Sequence, residues 1–264
     1  GGWEAPWGVE LRIDVFSAFI LLIVTTNAAV VLPYSPRSVA NELPAHKHYL
    51  FYAVFLLCVT GLLGITVTGD LFNVFVFLEI SALSSYVLIS MGDNRRALTA
   101  AFQYLVMGTI GSTFLLIGIG LAYMLTGTLN MADLARRLTA LEETRALLAA
   151  FAFLTVGASV KMALFPVHTW LPNAYTYAPS GVSAFIASTS TKVSFYVFLR
   201  ILFTVFGVEF AFEEIHLHKI LMPLALVAIF IASISAIVQT NVKRLLAYSS
   251  VAQIGYMVLG LSLL

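Results

Sequence analysis

The feature that most constrains this chain is a succession of long apolar runs, at 15–32, 49–67, 71–91, 98–125, 146–165, 181–206, 220–239 and 245–264. Each is near the ~20 residues that a helix needs to cross the hydrocarbon core of a bilayer. In lipid the backbone must satisfy its own hydrogen bonds, which leaves α-helices or closed barrels. Runs this long, without strict alternation, are helices. The expected fold class is an all-α polytopic membrane protein of about eight transmembrane helices. Composition agrees: 60% of the 264 residues are hydrophobic and 10% charged, against roughly 45–50% and 25% in soluble domains. That balance excludes a soluble enzyme, a nucleic-acid binder and a disordered chain. With Lys+Arg 14 and Asp+Glu 13 the net charge is +1, so there is no basic surface for nucleic acid or anionic lipid. The single Cys58 lies within an apolar run, which excludes a disulfide framework and a Cys-based zinc or iron–sulfur site.

Residues 1–14 (GGWEAPWGVELRID) lack a signal-peptide pattern and read as an extramembrane segment, with a short extended stretch at 7–13. Residues 251–264 are still apolar, without a closing loop. The chain is therefore expected to be a section of a longer bundle, cut at both ends. The loops at 33–48, 92–97, 166–180 and 240–244 share one side and carry Arg37, Lys47, Arg95, Arg96, Lys243 and Arg244. The opposite side carries Arg12, Arg136, Arg137, Arg145 and Lys219 together with most of the acids, Glu142 and Glu143 among them. The small basic excess makes the first side the cytoplasmic one. In residues 130–145, Met131, Leu134, Leu138 and Leu141 recur at helical spacing among charges, which predicts an amphipathic helix lying on the surface. Glu209, Glu213 and Glu214 beside His216 and His218 read as a solvated acidic loop rather than a metal site.

Four ionisable residues fall inside the spans: Glu79, Lys161, Lys192 and Arg200. An unpaired charge at the bilayer centre costs ~2.5–3.5 kcal/mol or more, so such residues face the bundle interior, pair, or line a wet path. Glu79 is nine residues beyond Asp70, about 13 Å along a helix. Lys161 precedes Pro166, which removes the helical partner of the Met162 carbonyl. The stretch 165–173 is too apolar for an ordinary loop, so it is expected to be the second half of a broken helix, placing Lys161 centrally beside free carbonyls that hold water. Lys192 is also central and follows Ser188-Thr189-Ser190-Thr191, hydroxyls able to bond backbone carbonyls. A lysine in such a setting can gain and lose a proton near neutral pH. Arg200 suits an anchor or structural pair. His168, just after the break, has an ordinary pKa near 6.5 that fits proton passing. The residues expected to transfer protons are thus Glu79, Lys161, Lys192 and His168; the competing reading is a fixed structural ion pair.

Asp70-Leu71-Phe72-Asn73-Val74-Phe75-Val76-Phe77-Leu78-Glu79 with Ser84-Ser85-Tyr86 resembles the glutamate helix of the antiporter-like subunits of Mrp-type Na⁺/H⁺ antiporters, respiratory complex I and membrane-bound hydrogenases. The run from Val160 to Ala174, then Ala178-Pro179-Ser180, is similar to that family's broken lysine helix, and Leu246 to Tyr256 to a later helix. The resemblance covers the whole chain. It implies that Glu79 pairs with Lys161, that protonation of the pair couples to Lys192, and that protons follow a hydrated central axis. It also implies two inverted repeats of five helices each. Here 49–206 matches the first, within a six-helix section at 15–206. Residues 220–264 are expected to begin a second repeat that is truncated, giving a partial inverted-repeat bundle. Gln253 and the wording of the glutamate helix favour the Mrp-like and hydrogenase-like members.

The expected function is proton (cation) translocation as an antiporter-like subunit of a multi-subunit Mrp-type Na⁺/H⁺ antiporter or related hydrogenase complex, in the plasma membrane of a prokaryote. The alternatives are a proton-pumping subunit of NADH:quinone oxidoreductase and a non-transporting scaffold. The expected partners are other membrane subunits, the lipid bilayer and protons, with Na⁺ left open and no nucleic acid. No cofactor or metal is expected. The chain has no G-x-S-x-G elbow, H-E-x-x-H pair, phosphate-binding loop or cluster cysteines, so any redox chemistry would belong to another subunit.

Overall fold

The computed structural model describes residues 2–141 and 144–264; Gly1, Glu142 and Glu143 lie outside the described residues. Helix α1 (Val15–Glu42) starts on a reciprocal cap: the Ser17 amide donates to the Asp14 carboxylate and the Asp14 amide to Ser17 Oγ, both at 2.8 Å. The loop expected from residue 33 begins only after Glu42. Pro33 and Pro36 both lie within α1. Pro36 deprives the Leu32 carbonyl of its usual donor, and Ser35 Oγ supplies one at 2.8 Å. A 3₁₀ turn at Ala45–Lys47 leads into α2 (His48–Val67), followed by α3 (Leu71–Ser90) and α4 (Arg96–Thr126). Gly127, at φ 70°, ends α4 in the left-handed conformation that glycine adopts without penalty.

The next elements are α5 (Met131–Leu138), α6 (Arg145–Lys161), α7 (Trp170–Tyr177) and α8 (Ser180–Leu199), which runs on as a π-helix over Arg200–Phe206. After a second π-helical turn at Glu209–Glu214 come α9 (His218–Ile237) and α10 (Val242–Leu261). Every apolar run of the sequence is largely helical, the run 146–165 only as far as Lys161. Among the described residues six helices are long and apolar enough to cross a membrane: α1, α2 with its leading turn, α3, α4, α8 with its π extension, and α9. The other two expected spans are α6, 17 residues long because it stops at Lys161, and α10, which opens on Lys243 and Arg244.

Three expectations are corrected. The amphipathic segment is helical only over 131–138: Met131, Leu134 and Leu138 are buried, but Leu141 lies beyond the helix and is exposed. Its face packs on the π-helical end of α8. The acidic stretch is a π-helical turn rather than a loop, and no His/Cys/Asp/Glu group suited to a metal occurs among the described residues. The extended stretch is confined to the neighbourhood of Leu11; residues 5–8 form a turn.

Near Leu11 the backbone is stitched to two other loops. The Arg12 amide donates to the Val67 carbonyl at 2.7 Å, Gly69 to Glu10 at 2.8 Å and Met131 to Gly69 at 2.9 Å. Within the bundle, α4 and α6 approach closely because small residues face each other. A Cβ on Gly157 would sit 2.7 Å from the Gly111 carbonyl oxygen. Such small-residue contacts let membrane helices gain packing where no hydrophobic drive exists between them. α1 lies along α8, while α9 packs chiefly on α10.

Candidate functional site

Glu79 comes from the middle of α3, whose start is fixed by Asp70 accepting from the Asn73 amide at 2.8 Å. Burial holds the Asp70 carboxyl above its ordinary range, against the lowering effect of amides such as that of Asn73. One oxygen of Glu79 accepts from Lys161 Nζ at 2.9 Å, and the same oxygen accepts from the Ser112 hydroxyl on α4. The Lys161 side chain is 4% exposed and that of Glu79 is 27% exposed. The pair is thus asymmetric: the ammonium is enclosed, and the carboxylate keeps a more open side.

Lys161 is the last residue of α6. The break follows it directly, earlier than the proline-centred break expected. The Leu164 amide donates to the Ser159 carbonyl at 3.0 Å and the Ala163 amide to Val160 at 3.2 Å. This is a Schellman ending, with Ala163 in the left-handed position at φ 60°. The second half-helix then starts at Trp170 rather than running through 165–173. Its indole Nε1 donates back to the Val160 carbonyl at 3.3 Å, and its ring stacks on Tyr104 of α4 at 3.9 Å and 2°. The Ser159 and Val160 carbonyls beside Lys161 are therefore bonded by protein groups. What the break does provide is a lysine at a helix C-terminus, where the backbone dipole favours the cation.

Lys192 is not brought into the pair. Its Nζ donates to the Ala187 carbonyl of its own helix at 2.6 Å. Of the preceding hydroxyls, Ser188 and Thr189 both donate to the Phe185 carbonyl, while Thr191 Oγ1 is buried with no partner among the described residues. The helix stays α-helical through this run, so the hydroxyls do not interrupt it. His168 sits in the turn between α6 and α7, 9% exposed, with its ring against Phe165 and no partner for its Nδ1 among the described residues. Arg200 is a structural pair, as its position suggests. One of its nitrogens contacts both oxygens of Asp14 at 2.5 and 2.6 Å, and Nε donates to Tyr196 Oη at 2.9 Å.

The sequence does not single out Ser112 or the Tyr86–Tyr104–Trp170 aromatic series. Ser112 leaves one signal, a hydroxyl in the middle of an apolar span beside Gly111. The close approach of Tyr86 depends on Gly108, where any Cβ would collide with the Tyr86 hydroxyl.

A family model described as NADH:quinone oxidoreductase/Mrp antiporter, TM, matches residues 68–263, which include Glu79, Lys161, His168 and Lys192. The chain belongs to this family. Among relatives, the N subunit of NADH-quinone oxidoreductase from Desulforudis audaxviator is 46% identical over 99% of the chain and 51% of its own length. The Na⁺/H⁺ antiporter D protein of Alkalihalophilus pseudofirmus is 34% identical over the whole chain and 52% of its own length. Among solved structures, a chain of the membrane-bound sulfane sulfur reductase, an archaeal respiratory membrane complex, superposes with a TM-score of 0.86 at 34% identity, over 99% of this chain and 52% of that one. The chain thus spans about half the length of the curated relatives it matches. For a member of the NADH:quinone oxidoreductase/Mrp antiporter family, a bundle of membrane helices is the shared ground with these relatives, and the carboxylate–ammonium pair beside a break is what this chain sets within it.

Proposed function

We propose that the chain moves protons within a larger membrane assembly, as an antiporter-like subunit of an Mrp-type Na⁺/H⁺ antiporter or a related respiratory complex in a prokaryotic plasma membrane. The observation that carries this is the Glu79–Lys161 contact at 2.9 Å at the end of a broken helix. A proton reaching Glu79 cancels its charge and leaves the enclosed Lys161 ammonium without its counter-ion. The cost of that unpaired charge drives its proton onward. Lys192, which among the described residues bonds a carbonyl and no carboxylate, is the acceptor. His168, with a buried ring nitrogen, serves the route from the loop side of the break. Ser112 holds the carboxylate in the orientation that meets Lys161.

In this reading 49–206 forms the first inverted repeat, 220–264 opens the second, and the loops bearing Arg95 and Arg96 face the cytoplasm. The partners are other membrane subunits of the same complex. The 46% identity to an NADH-quinone oxidoreductase subunit supports a second reading, a pumping subunit of such an enzyme, in which electron transfer lies elsewhere.

The test is proton movement by the assembled complex in vesicles, followed with a pH-sensitive dye. Glu79→Gln and Lys161→Ala are each expected to abolish it while the complex still assembles. Normal transport by both variants would overturn the proposal. A scaffold subunit would instead tolerate simultaneous neutral replacement of Glu79, Lys161 and Lys192 at constant volume.

A further inference from the structure

Helix α1 lies outside the 49–206 repeat, yet its two ends hold the two ends of α8. At one end Glu42, the last residue of α1, accepts from the backbone amide of Ser180, the first residue of α8, at 2.8 Å. That amide is one of the donors that a helix leaves unsatisfied at its start, and a carboxylate there also complements the helix dipole. Ser38 fixes the Glu42 carboxylate from behind at 2.7 Å. Lys243 of α10 closes the same joint by donating to the Ala178 carbonyl at 3.0 Å. At the other end Asp14, the N-cap of α1, receives Arg200 through both carboxylate oxygens. Arg200 is further held by Tyr196 Oη and Thr204 Oγ1, and its guanidinium lies 5.4 Å from the Phe16 ring centre and 5.0 Å from that of Tyr196.

Lys192 lies between these two points, twelve residues from Ser180 and eight from Arg200, or about 18 Å and 12 Å along α8. Its only hydrogen bond among the described residues goes to its own helix. Among the described residues no hydrogen bond ties it to another element, so its depth follows the axial position of α8. The two carboxylates of α1 act from opposite ends, so slippage of α8 in either direction breaks one of them.

We infer that Asp14 and Glu42 are positioning residues: α1 is a two-point brace that sets the depth of Lys192. This rests on the proton-carrying role proposed for Lys192, but its structural half can be read without transport.

The experiment uses the assembled complex in vesicles. In a Cys58→Ser background, Lys192→Cys reports depth through its rate of reaction with a water-soluble maleimide. Adding Asp14→Asn and Glu42→Ala together is expected to change that rate at least about tenfold, the factor that loss of even one charge-assisted hydrogen bond would give. With Lys192 intact, the same pair is expected to slow proton movement about tenfold at unchanged assembly. Should that pair prevent assembly, Ser180→Pro with Arg200→Lys replaces it. Proline is accepted at the first position of a helix and removes both the amide and the hydroxyl that Ser180 offers Glu42, and Pro179 already has the extended backbone that must precede it (φ −51°, ψ 147°). Labelling at position 192 that is unchanged by the pair overturns the brace, whatever transport does. Altered labelling with transport at the parent rate also overturns it, since depth would then not matter. Glu79→Gln, run in parallel, reports separately on the transport reading.

Discussion

At the scale of single residues, the carboxylates of this chain differ in what answers them. Glu79 meets an ammonium and a hydroxyl at one oxygen. Ser112→Ala removes the hydroxyl and leaves the pair to hold its own orientation. A fall in proton movement of about tenfold or more is expected, at unchanged expression, because a hydrogen bond to a charged group is worth about 1.5–3 kcal/mol; a parent-like rate in the vesicle assay would show the hydroxyl to be idle. Asp14 differs in that it lies at the boundary. Burial raises its pKa, but the Arg200 hydrogen bond, the Ser17 amide and the nearby charge outweigh that and bring it from 3.8 to about 2. The folded state thus binds this proton less tightly than the unfolded chain. The stabilisation is fully present above the ordinary value of 3.8 and is lost as pH falls toward about 2. Thermal unfolding in detergent is expected to lose stability across that window, and Asp14→Asn to remove that part of the pH dependence.

At the scale of elements, what is legible in the sequence and what is not divide along physical lines. Length and hydropathy locate helices, since lipid enforces both, so all eight runs are largely helical. Their ends depend on local donors and acceptors. Pro33 and Pro36 look like terminators, but a serine one position before Pro36 repairs the ladder, and α1 continues. Conversely, α6 ends at Lys161 because Ala163, just past it, takes a conformation that normally announces itself as Gly, so the sequence points to Pro166, a few residues late. The ion pair of Glu79 is foreshadowed by charge and depth. The stationing of Lys192 on Ala187 is not, because a lysine stem of that length reaches many acceptors. Ala163 offers a direct test of the break. A β-branched residue at φ 60° is strained, and the site is fully buried. Ala163→Val is therefore expected to destabilise the protein by about 2 kcal/mol, read as a lowered unfolding temperature. An unchanged temperature would mean that the turn re-forms without the left-handed residue.

At the scale of the whole molecule, the bundle is held by short-range devices placed at its faces and by close helix contacts within. The small pair Gly111 and Gly157 draws α4 onto α6, and thereby brings Ser112 of one helix and Lys161 of the other to the same carboxylate. The stitched segments at 10–12, 67–70 and 129–131 tie the first residues to the loops after α2 and α4. These long-range pairings cannot be read from hydropathy, which is blind to which helix neighbours which.

The stacking of Trp170 on Tyr104 has a practical consequence. The other two tryptophans, Trp3 and Trp7, are largely exposed, whereas Trp170 is 2% exposed and spans the joint between the half-helices. With Trp3→Phe and Trp7→Phe, the remaining indole becomes an intrinsic optical probe seated beside the broken segment. Its emission is expected to be blue-shifted and shielded from acrylamide quenching. Any rearrangement of the joint during turnover would register as a spectral change, without a label attached to the protein.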